Sequence, residues 1–356
     1  MLQELKLLDT VAFKESDIVT EELPRVFVSK KFQLRLKLTV TNTTLTTGQT
    51  YGTAIADAPA TIIKRIDLRV VGQGKTKTQL MKSISAQDLI KQSTYENAGV
   101  QENVDNAPSG TTSTGAGDTI SYGSYDLNFS IPEIAPMAFE SVDRAGRALP
   151  VPNIYSPKDM TLFDPLVYNP VELIVTWGTI SDLRGSATAG VLTLKSGELK
   201  VVTLDLPEIN AGKSLNARIP FMINREMSKE ATNTGASTDF RIDLPKGNYI
   251  RKITIHAIDN SAYTNSIINN VKIVVNENLN KVDASFNQIR NENAKMYAIP
   301  FSQLQTGIAI IDFDERRDLK GLLDVTNVDN VRLSLDINAP TGTSKVRIVV
   351  QEITPQ

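Results

Sequence analysis

Apolar and polar residues alternate with a period of two along most of this chain. Residues 26–42 show the alternation most clearly, with apolar side chains at every second position. The apolar set is Phe32, Leu34, Leu36, Leu38 and Val40, and the polar set between them is Gln33, Arg35, Lys37 and Thr39. Because successive side chains of a strand point to opposite faces of a sheet, the pattern predicts a strand with one buried face, on which Leu36 lies.

Nine more segments alternate in the same way and are predicted to be strands. They are residues 62–71, 120–131, 171–177, 199–206, 250–258, 271–275, 308–313, 331–337 and 346–353. Strands this short and numerous are typical of β-sandwiches and barrels. The polar stretches 107–118 and 229–238 are predicted to be exposed loops, and residues 132–157, which contain five prolines, are predicted to form a long irregular loop.

Helical spacing is confined to three segments. Residues 85–97 and 283–295 each open with a residue, Ser85 or Asp283, that can cap the free amides of a helix N-terminus. The third segment is the N-terminus, where Leu2, Leu5 and Leu8 fall at helical spacing before Pro24. We therefore expect one short helix in each half of the chain and an amphipathic N-terminal helix, residues 1–23, outside both sets of strands.

The two halves of the chain resemble each other in the order of their elements. In each half a strand leads to the helix, and a segment ending in an acidic residue follows, 160–164 in one half and 310–314 in the other. Two closing strands then match as well, with 171–175 and 199–204 set against 331–335 and 346–350. Chance likeness between alternating strands is the alternative to a true duplication. We predict two similar all-β domains, divided near residues 206–212.

The composition agrees with two ordinary globular cores and narrows the possible functions. The chain has 356 residues, of which 41% are hydrophobic and 22% are charged. Its net charge of only -2 disfavours direct binding of nucleic acid. The absence of cysteine excludes disulfides, thiolate nucleophiles and cysteine-based zinc sites. Without an export signal or a long apolar run, we expect synthesis in a cytoplasm and no membrane span.

Candidate chemical motifs are few and incomplete. The run from Gly72 to Thr76 resembles the end of a phosphate-binding loop, but a glycine-rich hairpin is the preferred interpretation. His256 is the only histidine, and it lies inside a strand, where we expect a packed residue. The acidic group at Asp312, Asp314, Glu315 and Asp318 could bind a hard cation, but Arg316 and Arg317 lie among these residues and favour a salt-bridged loop. No catalytic, cofactor-binding or metal-binding residue is predicted.

Four aromatic residues keep another class of function open. Trp177, Tyr122, Tyr125 and Tyr168 could form a platform for stacking on sugars, although packing within the sheets is the preferred interpretation. A carbohydrate-binding or adhesin-type β-sandwich protein is therefore the main alternative. A β-sandwich hydrolase would need a pair of carboxylates facing one groove, and no feature of the sequence indicates one.

The C-terminal quarter carries a resemblance to a known family. Its four segments are residues 311–314, 322–328, 331–337 and 346–352. Their sequence is similar to the end of the double jelly-roll major capsid proteins of tailless, membrane-containing icosahedral viruses, such as tectiviruses, corticoviruses and flavobacterial phages. The resemblance implies two jelly-roll sandwiches in tandem, residues 24–206 and 207–356, and a shell subunit without enzyme activity or cofactor.

The same resemblance implies how the subunit would act. Three copies would form a pseudo-hexagonal capsomer, and capsomers would tile the virion shell together with penton and minor capsid proteins, over an internal membrane. In the family the N-terminus lies at the capsomer base. Leu2, Leu5 and Leu8 are therefore the candidate residues for contact with neighbouring capsomers or with the membrane surface, and packing of this segment against the base of its own subunit is the alternative.

Overall fold

The computed structural model describes residues 4–25, 28–42, 57–96, 117–130, 161–183, 192–205, 222–277, 279–315 and 319–355. The strands of this part of the chain are β1 (Glu4–Ala12), β2 (Ile18–Glu22), β3 (Ser29–Asn42), β4 (Ile63–Gly72), β5 (Thr78–Ile84), β6 (Gly117–Asn128), β7 (Tyr168–Trp177), β8 (Leu192–Asp205), β9 (Met222–Asn233), β10 (Ser237–Asp243), β11 (Tyr249–Asp259), β12 (Ala262–Tyr263), β13 (Ile268–Val275), β14 (Leu279–Ser285), β15 (Ile308–Asp312), β16 (Leu323–Asp324), β17 (Val331–Ile337) and β18 (Ser344–Pro355). The α-helices are α1 (Ala58–Thr61), α2 (Ala86–Glu96) and α3 (Phe286–Met296). Neither α2 nor α3 is long and apolar enough to cross a membrane, and the same holds for every other described helix.

The chain divides into two compact units. The first contains β1 to β8, and the second contains β9 to β18 together with the last three residues of α2. The first unit has two antiparallel four-stranded sheets, ordered β1-β8-β3-β6 and β2-β7-β4-β5. The second unit has the sheet β10-β17-β13-β14 and a second set of paired strands, β9-β18-β11. On the side of β11 away from β18, β11 pairs with β15 and with the short strands β12 and β16.

The strand order is the same in the two units. The eight principal strands of the first unit are β1 to β8, and those of the second unit are the strands β9 to β18 without the two-residue strands β12 and β16. If the principal strands of each unit are numbered from 1 to 8, both units have the order 1-8-3-6 in one sheet and 2-7-4-5 in the other. Two four-stranded antiparallel sheets of this kind form a jelly roll. The helices α2 and α3 also hold the same place, since each follows the fifth principal strand, β5 or β14. The predicted duplication is therefore confirmed by the topology.

Matching serines begin the two helices. The Ser85 hydroxyl accepts the Asp88 amide at 3.1 Å, and the Ser285 hydroxyl accepts the Gln288 amide at 3.2 Å. The Gln288 side chain accepts the Ser285 amide in return, which completes a capping box. The predicted start of the second helix at Asp283 was wrong, because Asp283 is still part of β14 and its carboxylate accepts a bond from Asn270.

All ten strands predicted from alternation are present, but two other local predictions were wrong. The stretch 229–238 is not a loop, because β9 runs to Asn233 and pairs with β18 along its whole length despite its polar composition. In the repeat, the segment that ends at Asp164 does not correspond to β15. Phe163 forms only an isolated bridge to Ser29, and the counterpart of β15 is β6. The predicted loop 132–157 and the boundary at 206–212 lie outside the described residues.

The predicted N-terminal helix was wrong, because the segment is strand β1 at the edge of the first sheet. It pairs with β8 from Glu4 opposite Asp205 to Ala12 opposite Glu198. A bulge between Leu7 and Asp9 shifts the register by one residue. Because of this bulge, Leu8 and Val11 both lie inward although they are three residues apart, so the period of two expected for a strand is interrupted.

Each unit closes over its own core. In the first unit the inner face of β3 is buried and Leu36 is 1% exposed, as predicted. Beside it, Phe129 stacks on Phe163 with ring centroids 4.7 Å apart. In the second unit a larger cluster joins the inner faces of its two sheets around Ile253, Ile255 and Leu333. Packing of this kind stabilises both sandwiches without disulfides.

Candidate functional site

The glycine-rich run after β4 is a hairpin turn, as expected. Lys75 donates its amide to the Gly72 carbonyl at 2.9 Å, and Gly74 has a positive φ of 70°. The turn leads directly into β5, which pairs back onto β4. A phosphate-binding loop would lead into the N-terminus of a helix instead. The motif therefore acts as a turn in the first unit.

The histidine and the acidic group are buried within the second unit. His256 has no exposed surface and lies in β11. Asp312 accepts the Tyr297 hydroxyl at 3.0 Å, and Asp314 forms a buried ion pair with Arg251 at 3.3 Å. Asp314 is thus salt-bridged to Arg251 of β11, whereas a bridge to Arg316 or Arg317, the partners favoured by the sequence, stays a prediction. Residues 316–318 lie outside the described residues, and within the described ranges no group of acidic and histidine residues is arranged to hold a metal ion.

The four aromatic residues do not form a platform. Trp177, Tyr125 and Tyr168 are each at most 2% exposed and belong to the core of the first unit. The Trp177 ring packs edge-on against Phe13 with centroids 4.9 Å apart. Tyr122 alone reaches the surface. Three buried rings cannot stack on a sugar, so the observation that kept a carbohydrate-binding function open favours structural packing instead.

Buried charges are concentrated around β11. Arg251 stands at a bulge that keeps both Ile250 and Ile253 facing the core. Its guanidinium binds Asp314 and the Gln351 side chain, and Gln351 donates onward to Glu226 at 2.9 Å. A buried cation without partners would be strongly destabilising, so these contacts are required for the second sheet to form.

A second buried pair lies next along the strand. Lys252 reaches Glu96, in the last turn of α2, at 2.7 Å. Both partners are almost fully enclosed, with 1% and 8% of their side chains exposed. Nearby, burial raises the pKa of Glu352, and the bond from Asn248 and the charge of Arg225 offset that rise only in part. The network joins strands and contains no group positioned to react with a substrate.

The outer side of the sheet β1-β8-β3-β6 carries exposed side chains on all four strands. We call it the open face and define it by residues Leu5, Leu7, Gln33, Arg35, Lys37, Ile120, Tyr122, Lys200, Val202 and Leu204. Strand pairing places Val202 between Leu7 and Gln33, and Lys37 beside Tyr122. The middle of the open face carries the exposed basic side chains of Arg35, Lys37 and Lys200 around the buried Val202, while its two edge strands carry exposed apolar side chains.

The apolar part of the open face lies on β1 and β6. Leu5 and Leu7 are each 58% exposed, and Ile120 and Tyr122 are each 45% exposed. Exposed apolar side chains on edge strands are uncommon in monomeric proteins, because such edges invite pairing with another chain. This part of the molecule therefore has the composition of a contact surface.

The three candidate N-terminal residues are in different positions. Leu5 points outward on the open face. Leu8 turns inward at the bulge and lines a small apolar cavity with Leu23, Phe32 and Val171. Leu2 lies outside the described residues. Sequence reasoning missed Leu7, Ile120 and Tyr122, which strand alternation would have indicated once β1 was recognised as a strand.

Comparisons with known proteins agree at the level of fold. No family model matches the chain. No curated protein matches it either. Among solved structures, the chain is similar to the major capsid protein of Sulfolobus turreted icosahedral virus, with a TM-score of 0.69 at 16% identity, over 100% of this chain and 97% of that one. The chain has the double jelly-roll fold.

Other double jelly-roll structures match over similar lengths. The major capsid protein P2 of bacteriophage PM2 has a TM-score of 0.55 at 13% identity, over 100% of this chain and 98% of that one. The major capsid protein of Faustovirus has a TM-score of 0.59 at 8% identity, over 99% of this chain and 89% of that one. The resemblance noted in the C-terminal quarter therefore extends, as a fold, over the whole chain.

Proposed function

We propose that this protein is a major capsid protein, a structural subunit that assembles into an icosahedral virion shell. The observation that carries the proposal is the duplicated jelly roll spanning the whole chain, matched from end to end by viral major capsid proteins. The described residues support a structural role, since the charged clusters around β11 are neutralised internally. In the proposed function the protein is not an enzyme and uses no cofactor.

The duplication suggests a way to tile a shell. Three chains arranged around a three-fold axis present six similar jelly rolls, so a trimer has a pseudo-hexagonal outline and can pack in a nearly hexagonal lattice. We propose a homotrimeric capsomer on this basis. Its further partners are penton and minor capsid proteins and the surface of an internal membrane, and direct nucleic-acid binding is not part of its function. The protein is made in the host cytoplasm and ends in the virion.

The open face is proposed as a surface for contacts beyond the single subunit. The predicted N-terminal helix is strand β1, so the proposed contact with a neighbouring capsomer or the membrane surface is made by Leu5 and Leu7 of this strand. Support comes from their exposure on an edge strand next to Val202, an apolar side chain of the same face. Leu8 does not contribute directly, because it packs against its own subunit.

Solution mass tests the assembly. Light scattering of the purified protein in dilute neutral buffer should give three times the subunit mass, and electron microscopy should show capsomers or shells when partner proteins are added. A stable monomer at micromolar concentration, with no assembly when partners are present, would contradict the proposed function.

Point substitutions test the open face better than deletion of the N-terminus, since deletion would remove strand β1. Leu5→Ser with Leu7→Ser should leave the melting temperature of the subunit within a few degrees and weaken assembly of capsomers. The matched control is Ile18→Ser, which changes an equally exposed apolar residue on β2, in the other sheet. An equal loss of assembly in the control would mean that the effect is not specific to the open face.

A further inference from the structure

A buried arginine in the second unit lacks an acidic partner. Arg290 lies in α3 and is only 4% exposed. Within the described residues its guanidinium makes a single hydrogen bond, from Nη2 to the Gln305 carbonyl at 3.4 Å, which is long for a bond of this type. Its Nε is enclosed and has no acceptor, and the Gln305 side-chain oxygen nearby in the chain is enclosed without a donor.

The other buried cations of this unit each form an ion pair with a carboxylate. Arg251 has Asp314, and Lys252 has Glu96. Enclosing a charge without a counter-charge is costly, and natural proteins avoid it by pairing. Burial lowers the pKa of Arg290, and the only opposing influence comes from Tyr95, a phenol whose own pKa burial raises to about 12. At neutral pH no negative charge among the described residues therefore balances Arg290.

An exposed aromatic ring lies directly beside this arginine. The guanidinium carbon is 5.3 Å from the centroid of the Phe301 ring, and Phe301 is 48% exposed. The remaining terminal nitrogen, Nη1, has no bond and is not among the enclosed atoms, so it reaches the surface. Arginine and aromatic side chains in contact, partly desolvated and partly exposed, are the combination enriched at the centres of protein interfaces.

We propose that Arg290 and Phe301 form a carboxylate-binding site that is filled by an acidic side chain of a second copy of this chain. The negative charge of the occupant follows from the site, because no described carboxylate forms an ion pair with Arg290, unlike Arg251 and Lys252. An incoming carboxylate accepts a hydrogen bond from the accessible Nη1, and the rest of the acidic side chain covers Phe301. The choice of a second copy rests on the proposed function in self-assembly.

Neutralising the arginine tests the site. The concentration at which the full-length protein associates is measured by light scattering for the wild type, Arg290→Gln and Lys295→Gln. Lys295 lies in the same helix but is exposed and already paired with Glu292, so it is a matched loss of one positive charge. Arg290→Gln should raise the association concentration at least tenfold, and Lys295→Gln should change it less than twofold. Association of Arg290→Gln at the wild-type concentration would overturn the inference.

A competing carboxylate tests the chemistry separately. Sodium acetate should weaken wild-type association more than sodium chloride at the same ionic strength, and this difference should disappear in Arg290→Gln. Identical effects of the two salts on the wild type would overturn a carboxylate site. If Arg290→Gln fails to fold, Phe301→Ala replaces it, because Phe301 is exposed. It should also weaken association, and normal association of this variant would count against the site.

The two proposals fail in different ways. A wild-type protein that stays monomeric at every concentration contradicts the proposed function, and the second copy as occupant falls with it. A wild type that assembles normally, together with an Arg290→Gln variant that assembles equally well, contradicts the carboxylate site alone.

Discussion

Strands β3 and β11 hold the same place in the two jelly rolls but have different surroundings. In β3 the burial alternates, with Leu36 enclosed and Arg35 and Lys37 exposed. In β11 every residue from 250 to 258 is buried. The inner faces are alike, since Ile253 and Ile255 of β11 are in a core just as Leu36 is. The difference lies in the outer faces alone.

The comparison shows how one topology can serve two purposes. In the second unit α3 and the residues after it pack on β15 through Tyr297, Ile299 and Leu304, so the outer side of that sheet is part of a second apolar cluster. In the first unit the corresponding sheet remains an open face. The duplication gives two units of the same topology, and the residues that pack on the outer side of each sheet decide whether that side is buried or exposed.

The largest effect is expected where the covered sheet holds a buried charge. Asp314→Ala leaves Arg251 enclosed without its carboxylate and should destabilise the protein by about 3–5 kcal/mol. Urea unfolding measures the change. The matched pair in the first unit is Lys200–Glu198, which is exposed, and Glu198→Ala should cost at most about 1 kcal/mol. Similar costs for both variants would mean that the two sheets do not differ in burial as described.

Next in size are substitutions along the two corresponding strands. Leu36→Ala and Ile255→Ala should each cost about 2–5 kcal/mol, since both remove a buried side chain. Substitution of the next residue along each strand should distinguish the exposed outer face of β3 from the buried outer face of β11. Lys37→Ala should change stability by less than about 0.5 kcal/mol, whereas His256→Ala should cost more than about 1 kcal/mol. Thermal and urea unfolding of the four variants gives the pattern, and an unchanged melting curve for Leu36→Ala would show that the inner face of β3 is assigned wrongly.

A smaller effect is expected at a glycine of the open sheet. A Cβ on Gly123 of β6 would lie 2.1 Å from the Tyr125 hydroxyl oxygen, within the first core. Gly123→Ala should therefore cost about 1–3 kcal/mol through overpacking. Gly235→Ala is the control, because nothing lies within 4 Å of the added carbon there. Equal melting temperatures for the two variants would contradict the close packing of Tyr125 over Gly123.

The smallest effect distinguishes the units by pH. Burial raises the pKa of Glu352 in the second unit, so its contribution to stability is present below the unfolded value near 4.5 and is lost as the pH rises. Glu352→Gln should therefore increase stability at pH 7, because it removes the cost of ionising a buried carboxyl group. The gain should disappear near pH 4 when urea unfolding is repeated there.

Asp182 in the first unit should behave in the opposite way. Burial opposes ionisation of this carboxylate, but bonds from Thr179 and Lys64 prevail and lower its pKa. Its contribution is present above about pH 4 and is lost as the pH falls. Asp182→Asn should lower stability at pH 7 and converge with the wild type in acid. An increase in the stability of both Glu352→Gln and Asp182→Asn at pH 7 would contradict the opposite directions of the two pKa shifts.

Alternation predicted the strands that have one wet face or a continuous apolar core, because their pattern depends only on neighbours in sequence. It failed for β1, where the bulge after Leu7 inverts the parity, and for β9, whose polar residues are held in place by pairing with β18. The adjacent cations Arg251 and Lys252 in an apolar run were a usable signal that acids must lie nearby. The sequence could not indicate which acidic residues are the partners, since Glu96 is 156 residues away from Lys252 in the chain.

The Asn293 side chain occupies the position that another strand would take beside β15. Its amide nitrogen donates to the Ile310 carbonyl at 2.6 Å, and its oxygen accepts the Ile310 amide at 2.8 Å. The backbone of Ile310 is thereby satisfied by a carboxamide, which cannot propagate into a longer ladder. This cap blocks amyloid-like growth at the edge of the sheet and slows hydrogen exchange of the Ile310 amide. For the proposed capsid subunit, which would accumulate in many copies, a capped edge excludes unwanted pairing between chains.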